Sequence, residues 1–275
     1  MTREEHLKFC KICRNRKFDR DKGIVCNLTN EIADFENECP DFLEDTEEIK
    51  KEVEKTRERL KDNSKRASIA IKVFWGICLI NTIAVASGFL ELELLERFYE
   101  GDFVSDEEAN MNDLRQGIIG IIQSILYIAS IVTFLNWFRR AYGNLHRIGS
   151  TPTYREEMAA WSFFIPFVNL YRPFQIAKEI LNLTIKKLFE IDKNARASST
   201  PLLLGLWWAL YLITNFIGNI AFRMGLGDGD TLEDLISLSQ AYLFSDALDI
   251  PAALITLVII KKISSVESQL FEKAS

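Results

Sequence analysis

Four cysteines stand near the start of the chain in the pattern Cys10-x2-Cys13-x12-Cys26-x12-Cys39. A C-x2-C turn can present two thiolates to one tetrahedral ion, and four thiolates form a standard structural zinc set. The second pair lacks the C-x2-C spacing, so an iron–sulfur cluster, disulfides or plain thiols stay open as alternatives. Gly23 and Pro40 put turn-forming residues close to two of the cysteines. A segment of about 40 residues buries little core, and a metal staple would explain how it folds. The expectation is one structural zinc on Cys10, Cys13, Cys26 and Cys39, closed because all four positions belong to protein. The fifth cysteine, Cys78, lies in an apolar run and reads as packing.

A second group of chemistry-bearing residues lies in apolar surroundings. Asp246 and Asp249 share a helix face at i,i+3, and Asn215 and Asn219 share one at i,i+4. Ionisable groups at membrane depth are costly and default to functional candidates. The plainer alternatives are hydrogen bonding between helices, or a last span that starts later. Asp249 is expected to face the bundle interior with Asn215 and Asn219 as neighbours. Ala84-x3-Gly88 and Gly120-x3-Ser124 have the small-residue spacing that lets helices approach closely.

No catalytic set emerges. Gly225-x-Gly227-Asp228 matches the G-x-G-D string of intramembrane aspartyl proteases, but it sits in a polar loop and reads as a turn. His6 and His146 form no H-E-x-x-H site. The chain therefore leans towards a non-enzymatic role, with no catalytic residue named. Its net charge of −6 argues against a nucleic-acid partner.

These residues need elements to hold them. Residues 73–90 are 18 consecutive uncharged positions, 116–138 are 23 and 197–222 are 26. Crossing a hydrocarbon core of about 30 Å takes about 20 residues. Backbone groups in lipid must be satisfied within the segment, so these runs are helices. A fourth span, 241–260, reaches full length only with Asp246 and Asp249 included. Residues 158–177 are apolar but carry Arg172, Pro166 and Pro173, and interior prolines break the helical ladder. Loop charge decides their fate. Residues 55–72 hold seven Lys/Arg and two acids, whereas 91–115 hold nine acids and two Arg. Residues 139–157 and 172–196 are net basic, 223–234 are acidic, and Lys261-Lys262 follow the last span. Basic loops stay in the cytoplasm. The order is in, out, in, in, out, in, so 158–177 should not cross.

The expected fold class is an all-α membrane protein with four transmembrane helices at about 69–90, 116–138, 200–222 and 241–260. One non-crossing re-entrant or interfacial segment (158–177) joins them, and a small N-terminal zinc-stapled module (1–43) precedes them. Between lie a charged juxtamembrane helix (44–68) and an amphipathic helix (176–191), and a C-terminal tail (263–275) follows. The chain opens on polar residues, so membrane entry should rely on the first span. Both termini are expected in the cytoplasm of a bacterium. The helix 44–66 offers Ile49, Val53, Thr56 and Leu60 at 4-3-4 spacing. That is a short seam for a protein partner or a second copy, with a solvated stalk as the plainer reading. Membrane lipids are the other expected partner.

Asn136-Trp137-Phe138-Arg139-Arg140-Ala141-Tyr142-Gly143-Asn144-Leu145, then Trp161 to Gln175 (WSFFIPFVNLYRPFQ), then Lys178-Glu179-Ile180, resemble the bacterial membrane family called domain of unknown function 4328. The likeness covers roughly residues 70–262 and implies several spans around a W-F-I-P-x-x-N-L-x-R-P core. It implies no activity. The first 40 residues resemble a short cysteine-rich module found ahead of other bacterial membrane proteins. Within the core, Arg139, Arg140, Asn144, Trp161, Pro166, Asn169, Arg172, Pro173, Gln175 and Glu179 are the candidate site residues. Their arginines and aromatics suit lipid phosphates at the membrane surface, or ordinary positive-inside anchoring. The leading function is a binding, regulatory or scaffold module with a cytoplasmic zinc site. The alternatives are a small transporter or channel using Asp246 and Asp249, or a lipid-headgroup-active protein using the Arg172 cluster.

Overall fold

The computed structural model describes residues 1–192, 194–195, 197–227 and 231–273. Two compact units result, one built on Met1–Leu60 and the other on Lys61–Phe271.

The first unit opens with α1 (Arg3–Cys10), started by a capping box. The Thr2 hydroxyl accepts from the Glu5 N–H, and the Glu5 carboxylate accepts from the Thr2 N–H. Such a cap is worth about 1 kcal/mol. A hairpin follows: β1 (Arg16–Asp19) pairs antiparallel with β2 (Gly23–Cys26), with Arg16 opposite Cys26 and Asp19 opposite Gly23. Gly23 has φ +76°, which a hairpin turn reaches at least cost with glycine. The Asp19 carboxylate accepts the N–H groups of Lys22 and Asp21 across that turn, and these bonds hold it below the usual carboxylate range. Residues 12–14 pair with 43–45, returning the end of the segment to the Cys10-x2-Cys13 turn. A small aromatic core joins His6, Phe9, Phe35 and Phe42 edge to face, over a buried Val25. Helix α2 (Thr46–Arg59) starts at Asp45, and Arg16 grips both Asp45 (2.6 Å) and Glu48 (2.8 Å).

The expected continuous helix over 44–66 is therefore interrupted. α2 ends at Arg59 and the next helix begins at Ser64, with Asp62 bonding the Ser64 N–H and hydroxyl at 2.9 Å. Those bonds pull the Asp62 carboxyl below its ordinary range.

The second unit carries α3 (Ser64–Tyr99), α4 (Asp106–Arg147), the one-turn α5 (Met158–Trp161), a 3-10 turn (Val168–Leu170), α6 (Arg172–Ile191), α7 (Pro201–Gly225) and α8 (Leu232–Lys273). Helices α3, α4, α7 and α8 are long and apolar enough to cross a membrane. The chain is a multi-pass, all-α membrane protein, and 158–177 folds back in short pieces without crossing. Large apolar side chains stand exposed along the spans (Leu79, Ile121, Ile125, Ile128, Phe216), as lipid-facing residues do.

Four sequence-derived boundaries change. The spans run well past their charge-free cores: α4 has 42 residues, about 63 Å at 1.5 Å per residue. The acidic stretch 91–115 is mostly helix, because Ser105 caps α4 and Asp106, Glu107 and Glu108 complement the positive dipole of its first turn. The tail 263–275 continues α8 to Lys273, burying Ile263, Val266 and Leu270. The amphipathic helix starts at Arg172 rather than 176, with Pro173 in its first turn, where proline needs no N–H partner.

Candidate functional site

The spans border a half-open cavity of about 1320 Å³. It runs from the end bearing Phe98, Val104, Ser105 and Leu232 to a floor of Phe74, Phe134, Phe163 and Trp207. Phe134 organises that floor, with ring centroids 6.2 Å from Phe74, 5.9 Å from Phe163 and 6.2 Å from Trp207. Aromatic pairs of this kind add about 0.5–1.5 kcal/mol each beyond area burial. The Trp207 indole N–H donates to the Thr256 hydroxyl at 3.2 Å, tying α7 to α8.

Asp246 and Asp249 both border the cavity, and so do Asn215 and Asn219. The expected pairing between them is not what forms. Asn215 and Asn219 donate back to the carbonyls of Tyr211 and Asn215, one turn earlier on their own helix. Both acids instead bond α4. Gln123 donates to Asp246 (2.8 Å) and also to Asn81 (3.1 Å). Asn81 donates to the Tyr127 hydroxyl (3.1 Å), which donates to Asp249. The result is an unbroken chain Asp246–Gln123–Asn81–Tyr127–Asp249 across three helices. The helical repeat explains it: Gln123 and Tyr127 lie on one face at i,i+4 and meet the i,i+3 pair Asp246 and Asp249. Asn81, fully buried, joins them from α3. Polar residues inside the runs 73–90 and 116–138 were the available signal for Asn81, Gln123 and Tyr127.

Of the two small-residue pairs, only one packs closely. A side-chain carbon on Gly88 would lie 3.3 Å from Leu243, whereas one on Gly120 would meet nothing within 4 Å. Gly120 and Ser124 border the cavity instead.

The candidate residues of the core string gather at the opposite end of the bundle, and the structure gives them intramolecular partners. The Tyr142 hydroxyl donates to Glu179 (2.8 Å) and accepts the Tyr154 N–H (2.9 Å), clamping α6 and the 148–157 loop to α4. Gln175 accepts from the Tyr154 hydroxyl at 2.7 Å. The Arg172 guanidinium lies over the rings of Tyr154 (4.8 Å) and Tyr171 (5.8 Å). Arg139 and Arg147 share Glu156 at 3.5 and 3.1 Å, so part of the basic cluster is neutralised from within; Arg140 is half-buried. Gly143 makes room for that carboxylate, since a Cβ there would lie 2.6 Å from it. Pro173 is buried, Asn169 is half-buried in the 3-10 turn, and Trp161 and Pro166 are exposed. Phe167, just after Pro166, takes φ +63°, a strained value for an aromatic residue.

Asn144 is buried and central. Its side chain bonds Glu267 and the backbone of Lys61, accepting the Lys61 N–H (3.2 Å) and donating to the Lys61 carbonyl (2.8 Å). Asn63 donates to Glu267 (3.0 Å) and to the Trp137 carbonyl (3.2 Å). Glu267 and Asn63 were not anticipated. Glu267 lies in a charged stretch that resembles a solvated tail, and only the Ile263, Val266, Leu270 spacing marks a buried face.

In the N-terminal unit Cys13 is buried and Cys10, Cys26 and Cys39 are half-buried, all with free thiols. Burial pushes the Cys10 thiol up, and Cys39, Cys13 and Cys26 add to this while Arg3 opposes it. Cys13, Cys26 and Cys39 thus each lie within electrostatic reach of Cys10. Among the described residues, no group of three or more His, Cys, Asp or Glu is set to hold a metal ion. Asp228, of the Gly225-x-Gly227-Asp228 string, lies outside the described residues.

Residues 100–265 match the family model described as Domain of unknown function (DUF4328). No curated protein and no solved structure matches the chain. The match takes in α4 to α7 and most of α8, leaving the N-terminal unit and α3 outside it. With well over half of its residues inside that match, the chain belongs to the DUF4328 family of domains of unknown function.

Proposed function

We propose that this protein is a non-enzymatic binding protein of the bacterial cytoplasmic membrane, taking a small ligand into the cavity between its four spans. The observation that carries this reading is the cavity itself, larger than the 300–1,000 Å³ or so typical of ligand pockets. Its wall combines apolar surface with a few convergent polar groups, the usual composition of a binding site. The loop charges support an orientation with both termini and the core string in the cytoplasm and the cavity reached from outside.

Cysteine labelling tests this on right-side-out vesicles with a membrane-impermeant cationic thiol reagent. Ser124→Cys and Asn215→Cys, on the cavity wall, are expected to react. Ile125→Cys, on the lipid face, is expected to stay silent. Silence at all three positions would remove the externally open chamber.

For the N-terminal unit we propose one structural zinc on Cys10, Cys13, Cys26 and Cys39. Their spacing and the nearness of the other three to Cys10 support it, and a tetrathiolate would complete a unit whose own core is a few aromatic rings. Metal analysis of the purified full chain should find about one zinc per chain, as one tetrahedral site binds one ion. Zinc retained in a Cys26→Ser, Cys39→Ser double variant would defeat the four-ligand site.

A further inference from the structure

The wall of the cavity has a one-sided charge. Glu91, Asp106, Asp113, Asp246 and Asp249 border it, and among its described lining residues there is no lysine, arginine or histidine. The two deepest acids, Asp246 and Asp249, take hydrogen bonds from Gln123 and Tyr127, both neutral. Two acids outside the cavity wall, by contrast, are matched with cations: Glu108 with Arg97, and Glu156 with Arg139 and Arg147. Acids alone would carry little, but here they stand over the aromatic floor of Phe74, Phe134, Phe163 and Trp207, with Tyr211 beside it. Aromatic faces attract cations and bury apolar bulk at once. A bare metal ion or a proton needs neither the volume nor the rings. An anion would meet five carboxylates and no counter-charge.

Resting on the binding role proposed above, we infer that the ligand is a lipophilic organic cation. The geometry that carries this is a roomy, aromatic-floored cavity bordered by acids on several helices and by no base. The charged centre, an amine, quaternary ammonium or similar group, sits against Asp246 and Asp249. Its apolar body lies on the aromatic floor. The Gln123–Asn81–Tyr127 chain fixes the two carboxylates, so that they need not reorganise when the cation arrives.

Equilibrium binding to the purified full chain in detergent tests this with three probes of similar shape: tetraphenylphosphonium (cationic), tetraphenylborate (anionic) and triphenylphosphine oxide (neutral). The expected result is phosphonium bound at least about tenfold tighter than either of the others, a difference of about 1.4 kcal/mol. The Asp246→Asn, Asp249→Asn double variant should lower phosphonium affinity to the level of the oxide and leave the oxide unchanged. Ser124→Trp, filling the cavity from its wall, should weaken all three. Should the double variant fail to fold, Asp246→Asn alone and the ranking of the three probes on the native chain decide. Oxide or borate bound as tightly as phosphonium overturns the cation assignment, and so does a phosphonium preference that survives loss of both acids. If no probe binds while Ser124→Cys is labelled from outside, the cation assignment fails and the chamber stands. If that labelling is also absent, the binding role falls with it.

Discussion

The two halves of the four-span unit are built on opposite principles. Towards the end that carries the core string, α4 buries Trp137, Phe138, Ala141, Tyr142 and Leu145 at 2% exposure or less. Ile176, Ile180 and Leu188 of α6 and Ile259, Ile260 and Ile263 of α8 are equally buried. Towards the acidic end small or polar residues (Gly120, Ser124, Gly218, Asn219, Ser239 and Ser245) stand among the larger apolar ones that border the cavity. Other large side chains there, such as Ile121 and Ile125, point outward. Both halves contain a buried or half-buried acid held by amides, and this makes the comparison sharp. Glu267 is enclosed by Asn63 and Asn144 in a filled interior, whereas Asp246 faces open volume with one amide at its side. The same chemistry serves as a lock in one half and as a lining in the other. Open volume, not polarity, separates the two.

The comparison breaks most readily at Asn144. Asn144→Ala removes one of the two amides that hold the buried Glu267 and, with it, the side-chain partner of both backbone groups of Lys61. A loss of about 3 kcal/mol or more is expected, since a buried charged group deprived of its hydrogen bond bears most of its desolvation cost. Thermal unfolding in detergent measures it, and a melting temperature equal to that of the native chain would mean that the filled half is not the stabilising one.

In the hollow half the corresponding loss is smaller. Asp249→Asn should melt with the native chain, because an amide oxygen still accepts the Tyr127 hydroxyl. Asp249→Leu should cost about 1–2 kcal/mol by leaving that hydroxyl without its acceptor, softened by the open volume beside it. Equal melting of all three proteins would show that the polar chain contributes nothing to folding. A loss as large as that at Asn144 would erase the distinction between the halves.

A similarly small effect is expected of Ser124→Trp. Overpacking a filled core costs about 1–3 kcal/mol. Here the ring enters open space, so the change in stability should stay within about 0.5 kcal/mol, as at surface positions. A large drop in melting temperature would mean that the cavity closes in solution.

Much of this architecture is legible in the residues alone. Charge-free runs mark three of the four spans because lipid tolerates neither charge nor unpaired backbone, and the fourth emerges once Asp246 and Asp249 are counted within it. Successive basic loops mark 158–177 as a segment that turns back. Helix ends are less legible, because a charge-free run measures the lipid-facing stretch, while a capped and acidic first turn such as Ser105–Glu108 lets the helix start much earlier. The cost of a carboxylate at membrane depth is enough to turn Asp249 inward, yet it does not name the partner. Asn215 and Asn219 lie on the adjacent span with the right spacing but bond their own backbone. Gln123 and Tyr127 match the acids because of how α4 is rotated against α8, a property of packing that no single segment encodes. Glu267 was hidden for a related reason: its neighbours in sequence are polar, and its neighbours in space come from α4 and from the residues just ahead of α3.

Pro251 stands two residues beyond Asp249, where the hollow half gives way to the filled one. Without an N–H, it cannot donate to the carbonyl of Ala247, and one rung of the α8 ladder is missing at that level. A rod yields first where it has lost a rung. Mechanically, α8 is then a stiff lower shaft set into the packed end and an upper shaft that can tilt about residue 251. Asp246 and Asp249 ride on the upper one. A tilt there would move one wall of the cavity and leave the packed end in place.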